Sequence, residues 1–119
     1  MAYVDGFVIA VPVGNRQAFL DHANFVDPAF LELGATRVVE CWGDDVPDGK
    51  QTDFKRAVQC QDGEVVAFAW IEWPDKATRD AALAKLSADP RFSRENLPIP
   101  FDGKRMIFGG FETVLDLGK

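Results

Sequence analysis

Charged side chains interrupt runs of the chain that otherwise read as buried strands, and these are where chemistry would be sought. Asp5 lies in "YVDGFVIAVP" (3–12), Glu40 in "ATRVVECWG" (35–43), Glu72 in "VVAFAWIEW" (65–73) and Arg105 at the start of "KRMIFGGFETVLDL" (104–117). A carboxylate placed inside a sheet must be paired or protonated, because an unpaired buried charge costs several kcal/mol. Arg105 and its neighbour Lys104 are the natural partners. One reading is a small pocket with Trp42 and Trp70 as aromatic walls and Asp5, Glu40, Glu72 and Arg105 as its polar groups. A carboxylate of raised pKa would then serve as a base for proton abstraction. The other is that the charges form structural ion pairs at strand ends or across a subunit seam.

The remaining chemically capable residues carry weaker signals. His22 is the only histidine and has no Ser or Cys partner at a recognisable spacing, which favours a surface or boundary position. Cys41 and Cys60 are too far apart for a zinc pattern and too few for a disulfide framework, and read as inert, buried thiols. Asp44, Asp45 and Asp48 in "DDVPDG" lack the spacing and closing glutamate of a calcium loop and read as a solvated turn, so no metal is expected. The glycines of "DGKRMIFGG" follow the basic pair instead of preceding it, so no phosphate cradle and no cofactor is implied; glycine there marks a bulge or a close backbone approach.

The elements that must position these residues can be placed in order. The first strand ends at Pro12, Asn15 offers an N-cap, and Phe19, Ala23, Val26, Phe30 and Leu33 recur at helical spacing until Gly34 stops the helix. Pro28 lies within that stripe and should kink or split it. A second strand (35–43) and a polar loop follow, then "FKRAVQC" (54–60) as a short sheet arm and the 65–73 strand. Asp75 caps a second helix bearing Ala82, Leu83 and Leu86, and a Pro-rich connection leads to the last strand. The order β-α-β-β-α-β is that of an α+β, ferredoxin-like domain, with both helices on one face of an antiparallel sheet.

The 65–73 run has no polar side, so both of its faces need cover, and helices supply only one. Large residues assigned to the uncovered side are Tyr3, Phe7, Ile9, Phe68 and Trp70, with small Gly6, Ala67 and Ala69 toward the helices. A second copy of the chain is the economical cover, making Phe7, Ile9, Phe68 and Trp70 the expected homodimer interface.

Length and composition agree. The 119 residues make one domain, 1–119, with 47% hydrophobic and 27% charged residues, in the globular range. Nineteen acids against thirteen Lys and Arg leave a charge of -6, which disfavours nucleic acid as a partner. No stretch approaches a membrane span or has the pattern of a secretion signal, and two unpaired cysteines suit a reduced, cytoplasmic setting.

"YVDGFV", "ECWGDDVPDGKQTDF", "DPR" and "PFDGKRMIFGGFE" together resemble the YbaA-like bacterial family of domains of unknown function, over nearly the whole length. The resemblance implies a dimeric α/β barrel, in which two ferredoxin-like subunits press their open sheet faces together, and implies no activity; Pro28 departs from the uninterrupted first helix it suggests. Three function classes follow. A homodimer binding a small molecule in the barrel cavity leads, and a cofactor-free enzyme of the oxygenase or isomerase type is the alternative by analogy of fold. An RNA-binding module is third, since ferredoxin-like sheets can stack bases but need an exposed face with a basic surround.

Overall fold

The computed structural model describes residues 2–119. Four strands, β1 (Tyr3–Pro12), β2 (Arg37–Trp42), β3 (Glu64–Trp73) and β4 (Ile107–Glu112), form one antiparallel sheet in the order β2-β3-β1-β4. Three helices, α1 (Arg16–Glu32), α2 (Phe54–Ala57) and α3 (Lys76–Ser87), complete it, with single 3-10 turns at Val13–Asn15 and Pro90–Phe92. This is the ferredoxin-like α+β arrangement, with α1 and α3 as its two crossover helices.

Helix α1 runs without a break through Pro28, so the proline neither splits nor ends it. Its apolar stripe meets the sheet: Phe19 joins Ile9, Val11 and Ala67 in one buried cluster, and Phe30 and Leu33 pack against another built on Ile71 and Trp73. The helix stops at Gly34, whose φ of +116° few other residues adopt, and a Cβ there would lie 2.6 Å from Thr78 of α3. Asn15 holds the N-cap position, but its side chain donates to the Pro100 carbonyl, tying the helix start to the connection before β4. Asp75 caps α3 by accepting from the Thr78 amide.

The register settles which side chains share a face. Gly6 pairs with Trp70, Phe7 with Ala69 and Ile9 with Ala67, so odd residues of both strands turn one way and even residues the other. Tyr3, Phe7 and Ile9 therefore lie on the helix-covered side with Ala67 and Ala69, and Phe68 and Trp70 lie opposite with Val4, Gly6 and Val8. The expected grouping of Phe7 and Ile9 with Phe68 and Trp70 is thus corrected: it joined odd residues of one strand to even residues of the other, which this pairing forbids.

Two element assignments also change. Residues 54–60 do not extend the sheet; Asp53 accepts from the Arg56 amide and starts the single turn α2, and Val58 beyond it is buried with Ala10 and Val66, closing one end of the open face. The last strand is shorter than 104–117, and Arg105 belongs to the turn before it, its amide bonded to the Asp102 carbonyl.

Candidate functional site

The polar residues singled out in the sequence do not converge. Asp5, 4% exposed on the helix side, accepts from the Arg79 guanidinium at 2.8 and 3.1 Å and from Trp73 Nε1 at 2.9 Å, so it is a paired structural group. Arg105 reaches both oxygens of Glu64 at 2.7 Å, with Asp102 and the Gln59 carbonyl taking its other donors. That fork holds the Glu64 carboxyl down at about 2. Glu72 accepts from Trp70 Nε1 at 2.9 Å on the open face. Trp42 packs on the helix side against Phe19, ring centres 5.9 Å apart, with the Arg16 guanidinium over its face. The six-residue pocket of Asp5, Glu40, Trp42, Trp70, Glu72 and Arg105 is therefore not assembled. Alternation sends Trp70 and Glu72 to one face and Asp5, Glu40 and Trp42 to the other, and Arg105 is held in a turn.

Of the six, Glu40 and Trp70 alone border a common space, a partly open hollow of about 210 Å³ between α1 and the sheet, walled chiefly by apolar side chains including Phe7, Phe19, Phe30, Phe101 and Met106. Its polar lining comes from four residues on three elements: His22 and Asp27 of α1, Glu40 of β2, and Arg94 of the connection between α3 and β4. Asp27 lies one turn beyond buried Ala23 and one residue past Val26, so the helical period that buries the stripe also turns this carboxyl inward. On β2, Val38, Glu40 and Trp42 share the helix-facing side by alternation.

The two carboxyls line the same hollow, and each affects the other's hold on its proton. Burial, reinforced by the charge on Asp27, raises Glu40 to about 8. Burial raises Asp27 to about 6, with the hydrogen bond to Glu40 opposing. Near pH 7 the pair thus holds one proton between two carboxyls, as close carboxylates do when both cannot ionise. His22 is lowered by burial, its ring set edge-on to Phe101, 6.4 Å between centres, and is a neutral imidazole at that pH. Arg94 is exposed and makes no ion pair among the described residues, which leaves a solvent-facing cation at the edge of the hollow.

The hollow can therefore hold an apolar body, take or give a proton at the carboxyl pair, and meet a negative charge at Arg94. No group of three or more His, Cys, Asp and Glu suited to a metal ion comes together among the described residues. Asp27 and Arg94 were not anticipated. Asp27 had a signal, its helical phase with Ala23, whereas Arg94 lies in an irregular segment whose destination no local pattern encodes.

A second hollow, of about 490 Å³, lies on the open face, lined by Val4, Val8, Phe68, Ile107 and Phe111 among others, and Phe7 and Trp70 border both. Phe68 is 42% and Phe111 61% exposed there. Cys41, across from Phe68 on β2, is exposed on this face and not buried as expected, and Cys60 is half-buried; both are free thiols. No helix among the described residues is long and apolar enough to cross a membrane.

Comparison with known proteins agrees with this fold and leaves the chemistry open. By structure, the chain resembles a dimeric ferredoxin-like protein from an uncultured marine organism, at a TM-score of 0.62 and 12% identity, covering 98% of this chain and 100% of that one. It also resembles Rv0793 from Mycobacterium tuberculosis, at 0.54 and 10%, covering 99% and 100%. By sequence, it is 53% identical over 116 residues to the uncharacterized protein YbaA of Escherichia coli K12, spanning 98% of this chain and 99% of YbaA, and equally to that of Shigella flexneri. Residues 2–103 match the family described as "Protein of unknown function (DUF1428)". With that match and the shared length of YbaA, the chain belongs to this family of bacterial proteins of unknown function.

Proposed function

We propose that the protein is a homodimer that binds a small molecule in the hollow between α1 and the sheet, one site in each subunit. The observation that carries the reading is the partly open, mainly apolar space of about 210 Å³ with a carboxyl pair on its walls and an arginine at its edge. Tightly packed cores fill such space, and a void with a few convergent polar groups is the form of a ligand site. At this size the ligand has on the order of ten non-hydrogen atoms, below the drug-sized molecules of typical pockets.

The homodimer rests on the open face. Phe68, Ile107 and Phe111 are 42–61% exposed there, and after β4 Val114, Leu115 and Leu117 are 74–85% exposed, an apolar surface of the kind that marks association. The structurally similar marine protein, described as dimeric, is consistent with that cover.

A thermal-shift screen of small metabolites tests the reading. Val26 borders the hollow and is only half-buried, so Val26→Phe can fill the space with little disturbance. Compounds that stabilise the wild type should lose their effect in Val26→Phe. A screen without hits, or hits indifferent to this substitution, rejects the site.

The second reading, a cofactor-free enzyme, is favoured by the proton shared between Asp27 and Glu40, because an acid and a base side by side are what proton transfer requires. An RNA-binding role has less support, since the aromatic sheet face lies in a chain of charge -6.

A further inference from the structure

The carboxyl pair has two sides. Asp27, Glu40, Ala23 and Val38 line the inner hollow and also a groove between α1 and the edge strand β2, whose other walls include Asn24, Pro28 and Leu31. The pair is thus the partition between an apolar interior and solvent. Protons can be exchanged with water through the groove while a ligand occupies the hollow.

Resting on the small-molecule reading above, we propose that Asp27 and Glu40 act together as a general acid and general base on a small 2-oxo acid, interconverting its enol and keto forms. The recognition follows from the lining: Arg94 meets the carboxylate, Phe19, Phe30 and Phe101 enclose an apolar side chain, and the carboxyl pair faces the carbon and oxygen that exchange protons. The step balances without a cofactor. The ionised carboxyl takes the enol O–H proton, the C=C electron pair takes the proton of its neutral neighbour, and C–H and C=O bonds replace C=C and O–H. The pair ends with one proton, on the other carboxyl, and the next turnover requires only that it move back. His22, neutral and beside Phe101, lines the same space without being needed for the transfer.

Phenylpyruvate is the probe, its enol followed by ultraviolet absorbance as it ketonises, with binding measured separately by thermal shift. The wild type should be stabilised and should accelerate ketonisation above the buffer rate with a bell-shaped pH profile. Asp27→Asn and Glu40→Gln should each lose about 100-fold or more in kcat, in the range of a lost acid or base. Arg94→Gln should raise KM with kcat largely kept, and the exposed Lys76→Gln should change neither. Circular dichroism establishes that each variant is folded, and Asp27→Asn stands alone if Glu40→Gln is not. Stabilisation by phenylpyruvate that Val26→Phe abolishes, without rate acceleration, would overturn the acid–base proposal and leave the binding reading intact. Neither stabilisation nor acceleration overturns the 2-oxo acid assignment, and the metabolite screen then decides the binding reading alone. Acceleration undiminished in both carboxyl variants places the chemistry elsewhere and also overturns it.

Discussion

Replacing Glu40 by Gln should make the protein more stable at alkaline pH, and the sign of the effect identifies its cause. Glu40 ionises near 4.5 in an unfolded chain and near 8 in the folded one, so the folded state holds its proton longer. The stability this contributes is fully present below about 4.5 and is lost as pH rises through about 8. At about 1.36 kcal/mol per pH unit, that interval sets a ceiling of roughly 5 kcal/mol. The carboxyls also meet solvent through the outer groove, and allowing for screening leaves an expected effect of about 1–2 kcal/mol. Gln keeps the shape and the hydrogen bond but cannot ionise, and without its charge opposite, Asp27 ionises more readily. His22, lowered by burial, and Arg94 line the same space in both proteins, so the comparison between wild type and variant isolates Glu40. Urea denaturation at pH 5 and pH 8.5 should therefore give closely similar stabilities for the two proteins at pH 5 and a variant more stable by about 1–2 kcal/mol at pH 8.5. Parallel profiles, or a variant weaker at both values, would refute a proton held between the two carboxyls.

Other substitutions test the surrounding structure. Arg79→Ala strands Asp5, 4% exposed, without its cation, and should cost about 3 kcal/mol and lower Tm by on the order of 10 °C in a calorimetric scan. Gly110→Ala places a methyl group against Tyr3 and 2.9 Å from the Arg79 guanidinium, and should cost about 1–3 kcal/mol by urea denaturation. Phe68→Asp puts a charge on the open face and should eliminate the proposed dimer in light scattering, leaving monomer or aggregate. Single-stranded RNA should show no salt-dependent, sub-micromolar binding in a filter assay at physiological salt, given the charge of -6.

The sequence by itself determined the order of the four strands and the two crossover helices, the helix stop at Gly34 and the cap at Asp75. Each depends on side chains within a few residues, where helical and strand periods are expressed directly. The same local logic placed Glu40 among carboxylates needing explanation. Which face each strand residue takes was not local: it followed from the pairing of Gly6 with Trp70, and a one-residue difference in that pairing exchanges the faces. Tyr3, Phe7 and Ile9 were misassigned for that reason, and Asp5 and Arg105 found Arg79 and Glu64, 74 and 41 residues away, partners no spacing could name. Tertiary structure alone brought Asp27 of α1 and Glu40 of β2 to one hollow and carried Arg94 to its edge, because a site is made where distant segments meet, and the loss of water the two carboxyls share there changes what each can do.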